Sequence, residues 1–228
     1  MPNAKEIAGR RAAELVEDGM LLGLGTGSTV HFTLIRLAER VRDERLRLRG
    51  VPTSLDTDRK ARELGIPLVA LDDVNVIDLT IDGADEIDGD FNMIKGGGGA
   101  LLREKVIASI SRREAIVVGA GKRVERLGST FALPVEIVPF ARAPVSRALT
   151  SLGCTPLVRG GAERPFATDN GNWILDCRFP DGIRAPAVLE RRIAQIPGVV
   201  DSGLFIGLAQ ILVIGHDDGR CEVVHKTS

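Results

Sequence analysis

The apolar positions of this chain follow two periods. Five short segments bounded by Gly, Pro, Asp or Asn read as strands, at residues 20–24, 47–51, 66–71, 76–81 and 115–118. Between them the apolar residues recur at helical spacing. Ala4, Ile7, Ala8, Ala12, Leu15 and Val16 line one face of a first helix. Asn3 caps it, with Glu6 completing a capping box, and Gly19 ends it. Val30, Leu34, Leu37, Ala38 and Val41 line a second. A third is predicted from a cap at Asp56 to Gly65, and a fourth over residues 100–109. Strands and helices that alternate in this way predict a mostly parallel, doubly wound sheet.

The pattern changes after Phe131. Strands are predicted at 135–138, 155–158 and 173–177, and helices at 143–152 and 188–196. A Thr168-Asp169-Asn170-Gly171-Asn172 turn precedes the third strand, and Pro197-Gly198 stops the second helix. With a closing strand at 199–204 the order is β-α-β-β-α-β, the ferredoxin-like split unit. The tail, at 206–214 and 222–224, returns to the large sheet. The expected class is therefore α/β. Residues 1–131 plus 206–228 form a Rossmann-like, mostly parallel sheet domain, with an inserted ferredoxin-like α+β domain at 132–205.

Composition narrows the function. With 228 residues, 44% of them hydrophobic, a large core is available. The 30 basic and 31 acidic side chains nearly balance, which argues against a nucleic-acid partner. Aromatics make up 4% and Tyr is absent, so base-stacking platforms are not expected. Cys154, Cys177 and Cys221 form no CxxC pair, and His31, His216 and His225 form no ligand cluster. No metal and no cofactor is expected. The longest apolar stretch, 204–214, is short and broken by Gly, and the first residues carry mixed charge. A cytoplasmic protein with no membrane partner is the expectation.

The chemistry concentrates in one stretch. Asp82-Gly83-Ala84-Asp85-Glu86-Ile87-Asp88 follows a predicted strand, so Asp82 and Asp85 are placed just past its C-terminal end, where open α/β sheets bind ligands. After a spacer come Lys95-Gly96-Gly97-Gly98-Gly99 and a helix whose opening turns carry Glu104. Four glycines in a row are costly in chain entropy and suit a backbone that touches a ligand closely. A calcium loop is excluded. Asp88, Asp90 and Asn92 match its first positions, but Met93 stands where the turn Gly belongs and Gly99 where the bidentate Glu belongs. A second site element is Gly25-Thr26-Gly27-Ser28-Thr29, between a strand and a helix, which can cradle an anion. It is neither a Walker loop nor a dinucleotide fingerprint. Lys122 follows another strand through Gly119-Ala120-Gly121.

These groups suit an aldose–ketose isomerisation. Glu104 can take the proton next to a carbonyl. Lys95 and the loop N–H groups can meet the developing oxyanion. Asp82 and Asp85 can move a proton between the two oxygens and help open a cyclic sugar. The Thr26–Thr29 loop can anchor a phosphate.

The same motifs, with Arg103-Glu104-Lys105 and Pro134-Val135-Glu136, occur in an order and spacing that resembles ribose-5-phosphate isomerase, type A. The likeness runs through Asp169-Asn170-Gly171-Asn172 to Ile196-Pro197-Gly198. It implies interconversion of D-ribose 5-phosphate and D-ribulose 5-phosphate in the pentose phosphate pathway through an enediolate, without metal or cofactor. By position, Glu104 matches the proton acceptor. Thr26, Gly27, Ser28 and Thr29, Asp82, Gly83, Ala84 and Asp85, Lys95, Gly96, Gly97 and Gly98, and Lys122 match substrate-binding positions. A homodimer or a dimer of dimers is implied. Many members carry an Asp where this chain has Gly119. Two rivals come from other classes. A sugar-phosphate sensor would have no need of Glu104 and would carry a DNA-binding element, which is not evident. An acyl-CoA transferase-like enzyme would use a Glu nucleophile, but Lys95 with two Asp fits enolisation better.

Overall fold

The computed structural model describes residues 3–226 as two compact units, each with its own core. The first unit takes the chain up to Ala84, then Arg103–Lys122, then the chain from Leu208. Its six strands are β1 (Leu21–Leu24), β2 (Arg49–Pro52), β3 (Leu79–Gly83), β6 (Glu114–Gly119), β12 (Ile211–Gly215) and β13 (Cys221–His225). They lie in the order β13-β12-β6-β3-β1-β2, all parallel except β13, which pairs antiparallel to β12. The order reverses between β1 and β3, because the chain leaves β1 toward one edge for β2 and comes back to the other side of β1 for β3. Such a switch point opens a crevice at the C-terminal ends of the two strands.

Each strand alternates between the two faces of the sheet. Leu22, Leu24, Leu79, Ile81, Ala115, Val117, Ile211 and Val213 face one side. There they pack with α1 (Ala4–Ala13), α2 (Ser28–Asp43) and α3 (Leu55–Glu63) through Ala8, Ala12, Leu34, Leu37 and Ala61. On the other face lies α4 (Leu101–Ser109), whose Ile107 packs with Val51 and Ile77. As the sequence predicts, the Asn3 side chain caps α1, accepting from the Glu6 N–H at 3.0 Å.

Three expectations change here. The cap of α3 is Ser54, whose hydroxyl accepts from the Thr57 N–H at 3.0 Å. Asp56 sits inside the first turn. The predicted strand at 66–71 reduces to one bridge, Leu68 with Gly50, since Pro67 has no N–H to extend a ladder. The strand predicted at 76–81 begins later, at Leu79, because Ile77 pairs instead with the chain after α4, through Ile110 O and the Arg112 N–H. The strand consequently runs on through Gly83, so Asp82 is a strand residue and not a loop residue beyond it.

The second unit comprises Asp85–Leu102 and Arg123–Gly207. β7 (Leu133–Ile137), α5 (Arg142–Ser151), β8 (Thr155–Val158), β9 (Trp173–Arg178), α6 (Pro186–Ala194) and β10 (Val199–Ser202) follow the predicted order, and the antiparallel sheet runs β10-β7-β9-β8. Leu133, Val135, Ile137, Leu175 and Cys177 face α5 and α6 and form its core with Val145, Leu149, Leu189 and Ile193. A small antiparallel sheet not foreseen from the sequence joins β4 (Glu86–Ile87), β5 (Met93–Ile94) and β11 (Leu204–Phe205). The division expected at 132 places residues 85–102 and 123–131 elsewhere. In the structure both pack in the second unit, where Ile94 and Leu127 enter the core. Glu86 makes the connection. Buried, it accepts from the Gly128, Thr130 and Phe131 N–H groups and from the Thr130 hydroxyl, at 2.5–2.7 Å.

Candidate active site

In the first unit the loop after β1 and the end of β3 are tied together at the switch point. Asp82 is fully buried, and its Oδ1 accepts from the Thr26 N–H at 3.0 Å and the Gly83 N–H at 2.7 Å. Gly25 allows this approach, because a Cβ there would lie 2.3 Å from Asp82 Oδ1. The Thr26 hydroxyl is turned inward. It bonds to Thr53 Oγ1 and Ser54 Oγ at 2.8 Å and Thr57 Oγ1 at 3.1 Å, while the Thr57 hydroxyl donates to Gly25 O at 2.8 Å. A hydroxyl cluster in the turn after β2 and the first turn of α3 therefore sets the shape of the loop. Of the four predicted anion-site residues, Gly27 and Ser28 are exposed and Thr29 half-buried. Gly27 stands at the N-cap of α2 with no side-chain cap hydrogen bond, so no side chain of the cap occupies the first-turn N–H groups.

Glu104 is 5% exposed and lies one turn before Ile107 on α4. Residues three apart share a helix face, so Glu104 is on the side that packs on the sheet. A crossover helix runs antiparallel to its strands, which puts this early residue toward their C-terminal end. Asp82 belongs to that same face of β3, since Ile81 points into the opposite core. Gly83 and Ala84 follow it half-buried, and Lys122 is half-buried in the 3₁₀ turn that leaves the C-terminal end of β6. A cleft of about 610 Å³ beside Gly119, lined also by Lys5, Gly121 and His216, opens at that same edge.

In the second unit Lys95 is 2% exposed, and its ammonium lies 5.3 Å from the centre of the Phe205 ring. Its backbone is fixed by a relay, with the Lys95 N–H donating to Gly203 O at 2.9 Å and the Gly203 N–H to Pro134 O at 2.7 Å. Asp85 Oδ2 accepts from the Gly97 N–H at 2.7 Å. A Cβ at Gly97 would lie 2.6 Å from the other Asp85 oxygen, so a side chain there would displace the Asp85 carboxylate. Gly96 is buried, and Gly97 and Gly98 are exposed. Asp88 serves its own turn, accepting from the Asp90 and Asn92 N–H groups at 2.9 Å. The Pro134-Val135-Glu136 and Thr168–Asn172 motifs explain one another. Buried Glu136 Oε1 accepts from the Thr168 hydroxyl and the Asn172 amide, both at 2.9 Å.

Sequence reasoning singled out the carriers of charge but missed their supports. Thr57 and Arg159 have no local signal, and Thr53 and Ser54 show only as a hydroxyl-bearing turn.

The family model described as ribose 5-phosphate isomerase A (phosphoriboisomerase A) matches residues 49–219. A ribose-5-phosphate isomerase A of Bacillus mycoides is 48% identical over 219 residues, covering 96% of this chain and 98% of the relative. Ribose 5-phosphate isomerase from Plasmodium falciparum superposes with a TM-score of 0.94 at 38% identity over 98% of both chains. A D-ribose-5-phosphate isomerase in complex with phospho-erythronic acid superposes at 0.93 with 35% identity, covering 98% of this chain and all of the other. A strand order with its switch point between the anion loop and Asp82, a ferredoxin-like sheet order and full-length likeness agree: this chain belongs to the ribose-5-phosphate isomerase A family.

Proposed function

We propose that the chain interconverts D-ribose 5-phosphate and D-ribulose 5-phosphate through an enediolate, in the non-oxidative pentose phosphate pathway, with Glu104 as the base. One observation carries the residue assignment. Four ionisable side chains, Asp82, Glu86, Lys95 and Glu104, are buried to 5% exposure or less within one short stretch of chain, and of these Glu86 is taken up by the turn at Gly128–Phe131. Taking such groups out of water costs several kcal/mol each unless the surroundings or a task compensate, and buried ionisable groups concentrate where chemistry is done.

In the open-chain aldose, Glu104 removes the proton from C2, and the electron pair moves toward the carbonyl to give the enediolate. Lys95 and the Gly98 N–H stabilise the oxygen that gains charge. Asp82 and Asp85 pass the hydroxyl proton between O1 and O2 and assist ring opening. Return of the proton from Glu104 to C1 gives the ketose, with no net change in atoms or electrons. The phosphate sits at the Thr26–Thr29 loop, where the α2 N-terminus and the hydroxyls of Ser28 and Thr29 favour an anion, and Lys122 adds a cation at the same edge. The phospho-erythronic acid held by a structural neighbour is a phosphorylated acid whose planar carboxylate has the shape and charge of an enediolate end.

Glu104→Gln lowers turnover by about 10²–10⁴-fold, with a modest change in KM. Ribulose 5-phosphate formation by the wild type and the variant, measured in chelator, tests this. Near wild-type turnover in the variant removes Glu104 from the mechanism. The family resemblance further suggests a homodimer or a dimer of dimers acting in the cytoplasm. Phe140, 98% exposed, is an apolar side chain suited to contact with a second copy, and light scattering coupled to gel filtration reads the assembly directly.

A further inference from the structure

We infer that Arg159 is a positioning residue for the glycine loop: it sets two successive peptide planes, so that the Gly97 N–H is held on Asp85 and the Gly98 N–H is turned outward as a donor for the enediolate oxygen. This rests on the reading of Lys95–Gly98 given above. Arg159 follows β8 and lies 63 residues beyond the loop it holds. Its Nη1 donates to Gly96 O at 2.8 Å and to Gly97 O at 3.1 Å. The other edge of the guanidinium is locked. Nε and Nη2 donate to the two oxygens of Asp176 at 3.0 and 2.6 Å, a bidentate pair that fixes the plane of the fork. The guanidinium carbon lies 5.8 Å from the centre of the Phe166 ring, and the edge of that ring lies against Gly99. The backbone of Arg159 is pinned as well, its N–H donating to Ile174 O at 2.9 Å and its carbonyl accepting from the Phe166 N–H at 2.8 Å.

The consequence follows from peptide geometry. In a trans peptide a carbonyl and the next N–H point to opposite sides of the chain, and every described peptide here is trans. Gly96 O directed at Arg159 therefore turns the Gly97 N–H away from it, and that N–H reaches Asp85 Oδ2 at 2.7 Å. Gly97 O directed at Arg159 turns the Gly98 N–H away in the same manner. Glycine has almost no preference of its own for one conformation, and the exposed Gly97 and Gly98 have no side chain to anchor in the core. A donor that must be in place before charge develops needs its direction fixed from outside, and the rigid fork of an arginine does this where the single ammonium of a lysine does not.

The test compares Arg159→Ala, Arg159→Lys and Lys95→Ala with the wild type on D-ribose 5-phosphate, with and without low, non-denaturing guanidinium chloride. Arg159→Ala is expected to lose about 10- to 100-fold in kcat, the scale of a small misplacement of reacting groups. Its KM should stay within about threefold, since interactions made only in the transition state are those removed. Guanidinium should restore part of the kcat of Arg159→Ala, and Arg159→Lys should remain impaired. A kcat for Arg159→Ala within about twofold of wild type, a rise in KM alone, or no recovery in guanidinium overturns the inference. A misfolded variant gives no recovery and counts against it. Lys95→Ala separates the two layers. If it loses turnover while Arg159→Ala keeps it, only the clamp is overturned. If both keep it, the loop itself is not catalytic.

Discussion

At the scale of single residues the site is defined by where charge and bare backbone are placed. Gly119 stands where the family resemblance leads to the expectation of an Asp. It ends β6 three residues before Lys122, and a Cβ added there would have only Ala4 Cβ within 4 Å, at 3.9 Å. An aspartate is therefore accommodated without displacing backbone, and its carboxylate would enter the cleft at the strand edge. Gly119→Asp is expected to leave the melting temperature nearly unchanged, as for most surface substitutions. Through one added hydrogen bond to a sugar hydroxyl it should lower KM for ribose 5-phosphate about 2- to 10-fold. Steady-state kinetics of the purified variant checks this, and an unchanged KM shows that the position does not meet the sugar. The charged residues were legible because they are contiguous, with Asp82, Asp85, Lys95 and Glu104 inside one strand–loop–helix stretch. Arg159 was not, because its role depends on a contact across 63 residues to carbonyl groups that every residue type possesses. Thr26 was legible as part of an anion loop, but nothing in its neighbours says that its hydroxyl turns inward.

At the scale of elements, α3 shows how a support stays hidden. Both Ser54 and Asp56 are chemically able to cap a helix, and the sequence reading takes Asp56. The structure selects Ser54, in extended conformation with its hydroxyl accepting from the Thr57 N–H, because the same hydroxyl is needed by Thr26 at 2.8 Å. Asp56 instead holds exposed ion pairs with Arg59 and Lys60. Ser54→Ala removes a cap and opens the hydroxyl cluster under the anion loop, so a loss of about 1–2 kcal/mol is expected. For a chain of this size that is about 2–8 °C in melting temperature. Asp56→Ala loses only surface pairs, each worth little, and should shift the midpoint less. Thermal unfolding of the two variants side by side decides it, and a larger loss for Asp56→Ala would return the cap to that residue. Strand limits were misread for a related reason. Residues 66–71 and 76–77 are as apolar and branched as true strands, but Pro67 cannot extend a ladder and Ile77 is taken by the turn after α4. Competition among partners, not propensity, drew those boundaries.

At the scale of the whole molecule, charge is distributed unevenly between the two units. The described carboxylates held below their ordinary range are Asp18, Glu39, Asp43, Glu44, Asp56, Asp58 and Asp218, and all lie in the first unit. Asp18 is held at about 2 by hydrogen bonds from the Arg47 side chain and backbone. Glu39 is lowered by its hydrogen bond from Arg10, and Glu44 by that from Arg40. Arg36 joins Glu14 and Glu44, so α1, α2 and the turn after α2 share one network of ions. The sign of the pH effect follows from linkage. A carboxylate whose folded pKa is depressed favours the folded state while it is ionised. That contribution is full above the unfolded value near 4 and is lost as pH falls through the folded value. Between about pH 5 and pH 2 the first unit should therefore lose stability. Because these groups lie at the surface, the loss is modest and depends on salt. Hydrogen exchange followed by mass spectrometry at pH 5 and pH 3 should show faster exchange in α1, α2 and α3 at the lower pH, corrected for the intrinsic rate, with α5 and α6 changing less. High salt should shrink the difference, since screening removes at pH 5 most of what protonation removes at pH 3. Faster exchange in α5 and α6 ahead of the first unit would overturn the assignment of the acid-sensitive groups to the ion pairs of α1, α2 and α3.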